Sequence, residues 1–162
     1  MDEQKATFIK NDFFVLVRQL TPHTTALWGK MTAQQAIEHL ADFFDVSTAK
    51  INFGLSVPEE ALPKYREFLY SDKAFRENTK APVNIIGEDP MPVRYPDLDE
   101  AKMQLKKSVD DFFTYFSNNP DTTTLHPVFG PLTYDEWTLL HFKHVTHHLR
   151  QFGILPALHQ SS

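Results

Sequence analysis

The sequence predicts an all-α protein, a four-helix bundle with one long proline-rich crossover connection. Three observations carry that expectation. Four stretches repeat apolar residues at helical spacing, and three of them open with a capping sequence. Six of the eleven prolines, Pro58, Pro63, Pro82, Pro90, Pro92 and Pro96, crowd between the second and third stretches. No alternation of apolar and polar residues lasts long enough to specify a sheet.

The first helix is expected from about Glu3 to Leu20, with Phe8, Phe14 and Val17 among its apolar residues and no clear cap. The second opens at Thr32-Ala33-Gln34-Gln35. A hydroxyl followed three residues later by Gln forms a capping box, each side chain satisfying a backbone N–H that the first turn leaves free. From there Ala36, Ile37, Leu40, Ala41 and Phe44 recur at helical spacing to about Lys50. After the second helix comes the crossover, with a short helix expected around Lys64 to Phe75 and an extended chain up to Pro96. The third long helix starts at Asp97-Leu98-Asp99-Glu100 and carries Leu105, Val109, Phe112 and Phe116 as a bundle-facing stripe. The fourth starts at Thr133-Tyr134-Asp135-Glu136, another capping box, and should run to Phe152, with Gly153 and Pro156 as stop signals. Residues 1–162 read as a single domain, since no linker, repeat or low-complexity tract interrupts them.

Composition removes several classes of function. The 162 residues have a formal net charge of −5 and a hydrophobic share of 41%, enough for a real core. Without cysteine there is no disulfide, no thiolate ligand and no thiol nucleophile. An acidic balance lacking a Lys/Arg cluster argues against nucleic acid as a partner. The longest purely apolar run, Phe13 to Val17, is far short of the roughly 20 residues a membrane helix needs. Nothing near Asp2 and Glu3 resembles a signal peptide, so a cytoplasmic location is expected.

The histidines carry the chemistry. His126, His141, His144, His147 and His148 cluster late in the chain, four of them on the last helix. At about 100° per residue, Gln151, Trp137, His148 and His141 lie within about 60° of His144, in one stripe beside the apolar sector. Glu136, Lys143, His147 and Arg150 fall in the polar sector, which turns His147 toward water. Two imidazoles at i and i+4 can reach one cation at bonds of about 2.0–2.1 Å. The pair His144 and His148 has this spacing. His141 with His144 is a competing i, i+3 pair, and geometry alone leaves the partner of His144 open. A third ligand must come from elsewhere, and His39 is the best candidate. It sits mid-helix at the edge of the buried stripe, flanked at one turn's spacing by Gln35 and Phe43, with Glu38, Asp42 and Asp45 on the opposite side. His23, His126 and His159 read as solvated loop or tail residues. Trp28 and Trp137 read first as packing anchors, and no carboxylate stands out as a general base.

Several segments together resemble a known family. They are Trp28-Gly29-Lys30-Met31-Thr32 leading to Glu38-His39-Leu40, then His126-Pro127-Val128-Phe129-Gly130 with Trp137, and Lys143-His144-Val145-Thr146-His147-His148-Leu149-Arg150-Gln151-Phe152-Gly153. The likeness is to the DinB/YfiT-like superfamily, and more narrowly to one branch of it. It is good near residues 28–45 and 126–153 and holds only at the level of topology through the middle. The resemblance implies a four-helix bundle in up-down-down-up order, often a homodimer. It implies three histidines holding a divalent metal, commonly nickel or zinc and sometimes iron or manganese. Those positions fall on His39, His144 and His148, which settles the pairing in favour of His148. Gln151 matches the position after the pair, with a supporting role, and Gln35, Trp137 and His141 are the neighbouring pocket candidates. Members of the superfamily include metal-dependent hydrolases and transferases or isomerases that use small thiols such as bacillithiol or mycothiol. The implied partner is therefore a small-molecule substrate, a low-molecular-weight thiol among the candidates. Two functions follow as expectations: a metal-dependent hydrolase or thiol-dependent transferase, or a non-catalytic module that binds metal or a small ligand.

Overall fold

The computed structural model describes residues 3–77 and 90–156. The expected extended chain around Pro82 and the tail histidine His159 lie outside the described residues. Helix α1 is built from three consecutive pieces, Glu3–Thr7, a π-helical Phe8–Asp12 and Phe13–Val17. In the π turn the Phe13 N–H reaches back to the Phe8 carbonyl, so the turn holds one residue more than an α-helical one. The buried stripe is therefore Ile9, Phe13 and Val17. Phe8 and Phe14, which the sequence offered beside Val17, only pack partly buried against it.

Helix α2 spans Ala33–Ser47, opened by the capping box of Thr32 and Gln35. Its inner face is Ala33, Ala36, Ile37, Leu40, Ala41 and Phe44. It stops short of the expected Lys50, where Ala49 takes a left-handed φ of 61° and the Lys50 N–H turns back to the Asp45 carbonyl. A 3-10 turn, Glu59–Ala61, leads into helix α3, Leu62–Tyr70. This helix is shorter than the Lys64 to Phe75 expectation. The Ser71 N–H and hydroxyl both bond the Phe68 carbonyl, closing the helix and leaving Phe75 on irregular chain.

Helix α4 spans Leu98–Asn118, with the Asp97 carboxylate accepting from the Glu100 N–H at 2.8 Å. Leu105, Val109, Phe112 and Phe116 are all buried, and α4 packs most extensively against α2. Helix α5 spans Tyr134–Gln151, opened by the capping box of Thr133 and Glu136. Gly153 has φ +72° just past its end, and the Ile154 N–H closes on the Leu149 carbonyl at 2.9 Å.

Two further features depart from the sequence reading. A hairpin precedes α5: β1, Thr124–His126, pairs antiparallel with β2, Gly130–Leu132. Strands of three residues are too short to leave a period-two signature. At Gly130, φ is +79° and an added Cβ would lie 3.0 Å from Leu62 Cδ1, so this turn needs glycine. Glu136, assigned to the water-facing sector, is buried because α3 covers it. Arg66 and the Tyr70 hydroxyl both bond its carboxylate. Although burial works the other way, the Thr133 N–H, Tyr70 and Arg66 hold the Glu136 carboxyl below its ordinary pKa. Among the described residues, no helix is long and apolar enough to cross a membrane.

Candidate metal centre

The capping box at Thr32 sets the start of α2, and the apolar stripe sets its rotation. Together they leave His39 on the flank facing α5. On α5, His144 and His148 lie one turn apart. Across the bundle His39 Nε2 and His144 Nε2 are 2.9 Å apart. One candidate ligand nitrogen from each of His39, His144 and His148 lies within 4.8 Å of the others. Two nitrogens bonded to one ion at about 2.05 Å stand about 2.9 Å apart at a right angle and about 3.3 Å at the tetrahedral angle. The donor set therefore fits a shared divalent ion, provided that pairs as wide as 4.8 Å close by about 1.5 Å. His39 and His144 are partly exposed and His148 is buried.

The tautomer of His148 follows from its neighbours. Gln151 Nε2 donates to the Trp28 carbonyl at 3.1 Å, which turns Gln151 Oε1 toward His148. That oxygen accepts from His148 Nδ1 at 2.7 Å, so the proton sits on Nδ1 and Nε2 keeps its lone pair. Between His39 and His144 one Nε2–H donates to the other ring's Nε2, and that proton must shift to Nδ1 before both nitrogens can take an ion. Burial pushes the His39 pKa down to about 3, with His148 and His147 adding to the shift. Burial likewise takes His148 to about 4 and His144 well below its ordinary value. Neutral imidazole is the form that binds a metal ion.

The other candidates take different places. His141 is buried face to face between Phe44, at 3.8 Å, and Trp137, at 5.2 Å. Its Nε2 has no hydrogen-bond partner, and it is not among the grouped nitrogens. Trp137 is fully buried, and its indole N–H donates to Thr124 Oγ1 at 2.7 Å, an anchor for the hairpin. Gln35 caps α2 and donates to the Met91 carbonyl at 3.0 Å, beside His39.

Two histidines correct the sequence reading. His147 is buried, not turned to water, because irregular chain covers its face. The rings of Trp28 and Phe75 each lie 5.7 Å from it. Burial is the main cause of its pKa falling to about 4. His126 is also buried, in β1, with Nδ1 accepting from the Val128 and Phe129 N–H groups at 3.0 and 3.2 Å. Burial takes it to about 3. His23 is exposed, as expected.

A carboxylate cluster beside His39 was not legible as such. Glu38, assigned to the far side of α2, is buried beneath the end of the crossover. Its carboxylate accepts from the Arg94 N–H at 2.8 Å, from Arg94 Nε and the Tyr95 N–H at 3.4 Å, and from Gln34 Nε2 at 3.0 Å. Arg94 Nη2 donates to both oxygens of Asp42 at 2.8 Å. The only sequence signal was three acids, Glu38, Asp42 and Asp45, on one helix face with Arg94 near the end of the crossover.

The family model for the DinB superfamily matches residues 16–152 of the chain. No curated protein and no solved structure matches it.

Proposed function

Because the chain belongs to the DinB superfamily, we propose that His39, His144 and His148 hold one divalent metal ion and that the protein is a metal-dependent enzyme. The observation that carries this reading is the convergence of three neutral imidazole nitrogens from two helices distant in sequence. Nickel or zinc suits an all-imidazole donor set, with iron or manganese as alternatives. Three protein ligands leave at least one position for substrate, the arrangement of a catalytic centre. When bound, such an ion lowers the pKa of water or a small thiol and polarises an electrophile, which supports hydrolase or thiol-dependent transferase chemistry. The chain's own contribution is to hold the Nδ1 proton of His148 through Gln151 and to keep the three rings neutral by burial. A non-catalytic metal- or ligand-binding module is the second reading. It is favoured by one fact: the Glu38 and Asp42 carboxylates beside His39 are already engaged by Arg94 and offer no free base.

Elemental analysis of tag-free protein tests the centre. One divalent ion per chain is expected in the wild type, at least about tenfold less in His144→Ala and His148→Ala, and full occupancy in His147→Ala. Equal loss in all three variants would overturn the assignment of ligands. A panel of hydrolase and thiol-transfer assays on the loaded protein then separates enzyme from module.

A further inference from the structure

Both ligands that reach the surface carry an aromatic ring against them. Phe43 lies 5.1 Å from the His39 ring and 5.5 Å from the His144 ring, edge-on to both. Phe75 stands 6.2 Å from His144. The contacts then close into a circuit. Phe43 stacks on His126 at 5.7 Å, His126 meets Phe129 at 5.0 Å, Phe129 stacks on Phe68 at 6.4 Å, and Phe68 meets Phe75 at 5.3 Å. Next to Phe43, at 6.3 Å, Phe53 is 39% exposed. Single exposed apolar residues are ordinary, but an aromatic wall continuous with a candidate ligand ring has the make-up of a small-molecule site.

The wall is also uncharged. His126 accepts two N–H groups on Nδ1, so its proton is confined to Nε2 and the ring is neutral. The Lys143 ammonium sits 4.9 Å over Phe68, but it donates to the Ser71 and Lys73 carbonyls. On the far side of His39 the charges of Glu38, Asp42 and Arg94 are spent on one another. A charged body placed against these rings would lose its hydration with no partner in return, whereas a flat ring would gain edge and face contacts.

We infer that the site takes a small molecule with a polar, metal-binding end and a planar aromatic body lying against the exposed Phe53 and the half-buried Phe75, with the buried Phe43 ring behind them. This rests on the metal centre proposed above and adds the class of ligand to it. A strongly charged, wholly hydrophilic thiol is a poor match to such a wall.

Acetohydroxamate and benzohydroxamate share a metal-binding group and differ in a phenyl ring, so they isolate the aromatic contribution. Each is titrated calorimetrically into the zinc-loaded full-length protein, with metal content measured in parallel. Benzohydroxamate is expected to bind at least about tenfold more tightly. The ratio should fall at least about threefold in Phe53→Ser and in Phe75→Ala, and stay unchanged in Met103→Ser, whose side chain is 67% exposed on α4. A metal-bearing protein that binds acetohydroxamate with no phenyl preference, or a preference unmoved by both phenylalanine variants, overturns the aromatic subsite alone. A protein that holds no metal overturns this inference together with the metal centre.

Discussion

Chelator-treated protein should lose stability steeply as pH falls from 6.5 toward 4. In the folded state His39 and His126 stay neutral to about pH 3, and His147 and His148 to about pH 4. Unfolded, each would take up a proton near pH 6.5. Between those limits the unfolded state binds more protons, so stability falls as pH is lowered through the window. Each such histidine costs roughly 1.4 kcal/mol per pH unit, and four acting together cost up to roughly 5.5 kcal/mol per unit. A total stability of about 5–15 kcal/mol would be exhausted within two or three units. Thermal melts from pH 7.5 to 4.5 check this. A melting temperature independent of pH across that range would mean that the histidines are hydrated. Adding the metal should move the acid transition to lower pH, because protons must then displace the ion as well.

Glu38→Ala is the second large effect. Glu38 is 3% exposed and accepts from two crossover backbone N–H groups as well as from the Arg94 side chain. Removing the carboxylate strands donors beneath the crossover and deprives α2 of its grip on residues 94 and 95. A loss of about 3 kcal/mol is expected, less than for a fully buried pair because Arg94 is itself about half exposed. Asp42→Ala removes only a bidentate pair at the rim and should cost under about 1 kcal/mol. Urea denaturation of both variants checks the ordering. Equal losses would refute the claim that the backbone contacts, more than the ion pair, hold the crossover down.

The four long helices were legible because their signals are local. Thr32 with Gln35, Asp97 with Glu100, and Thr133 with Glu136 each announce a first turn within four residues, and each side chain makes its capping bond. The stripe from Leu105 to Phe116 needed only a constant period. For α1 the sequence offers apolar residues, Phe8, Phe14 and Val17 among them, without a cap to fix the face, and the structure buries Ile9, Phe13 and Val17. The misplacements of His147, Glu38 and Glu136 share one cause. A helical wheel shows which way a side chain points and nothing of what covers it. The covers here are Trp28, Phe75, Arg94, Arg66 and Tyr70, all on other segments. His126 reads as a solvated loop residue because a three-residue strand has no period to show its burial.

Trp28 gives the chain an optical reporter. It is one of only two tryptophans, and the other, Trp137, is sealed in the core. The Trp28 carbonyl is tied through Gln151 to His148, and its ring rests on His147. Loading the centre should therefore alter the indole emission, so occupancy can be followed by intrinsic fluorescence without a label. Trp28→Phe would silence that change and leave the Trp137 signal as an internal reference.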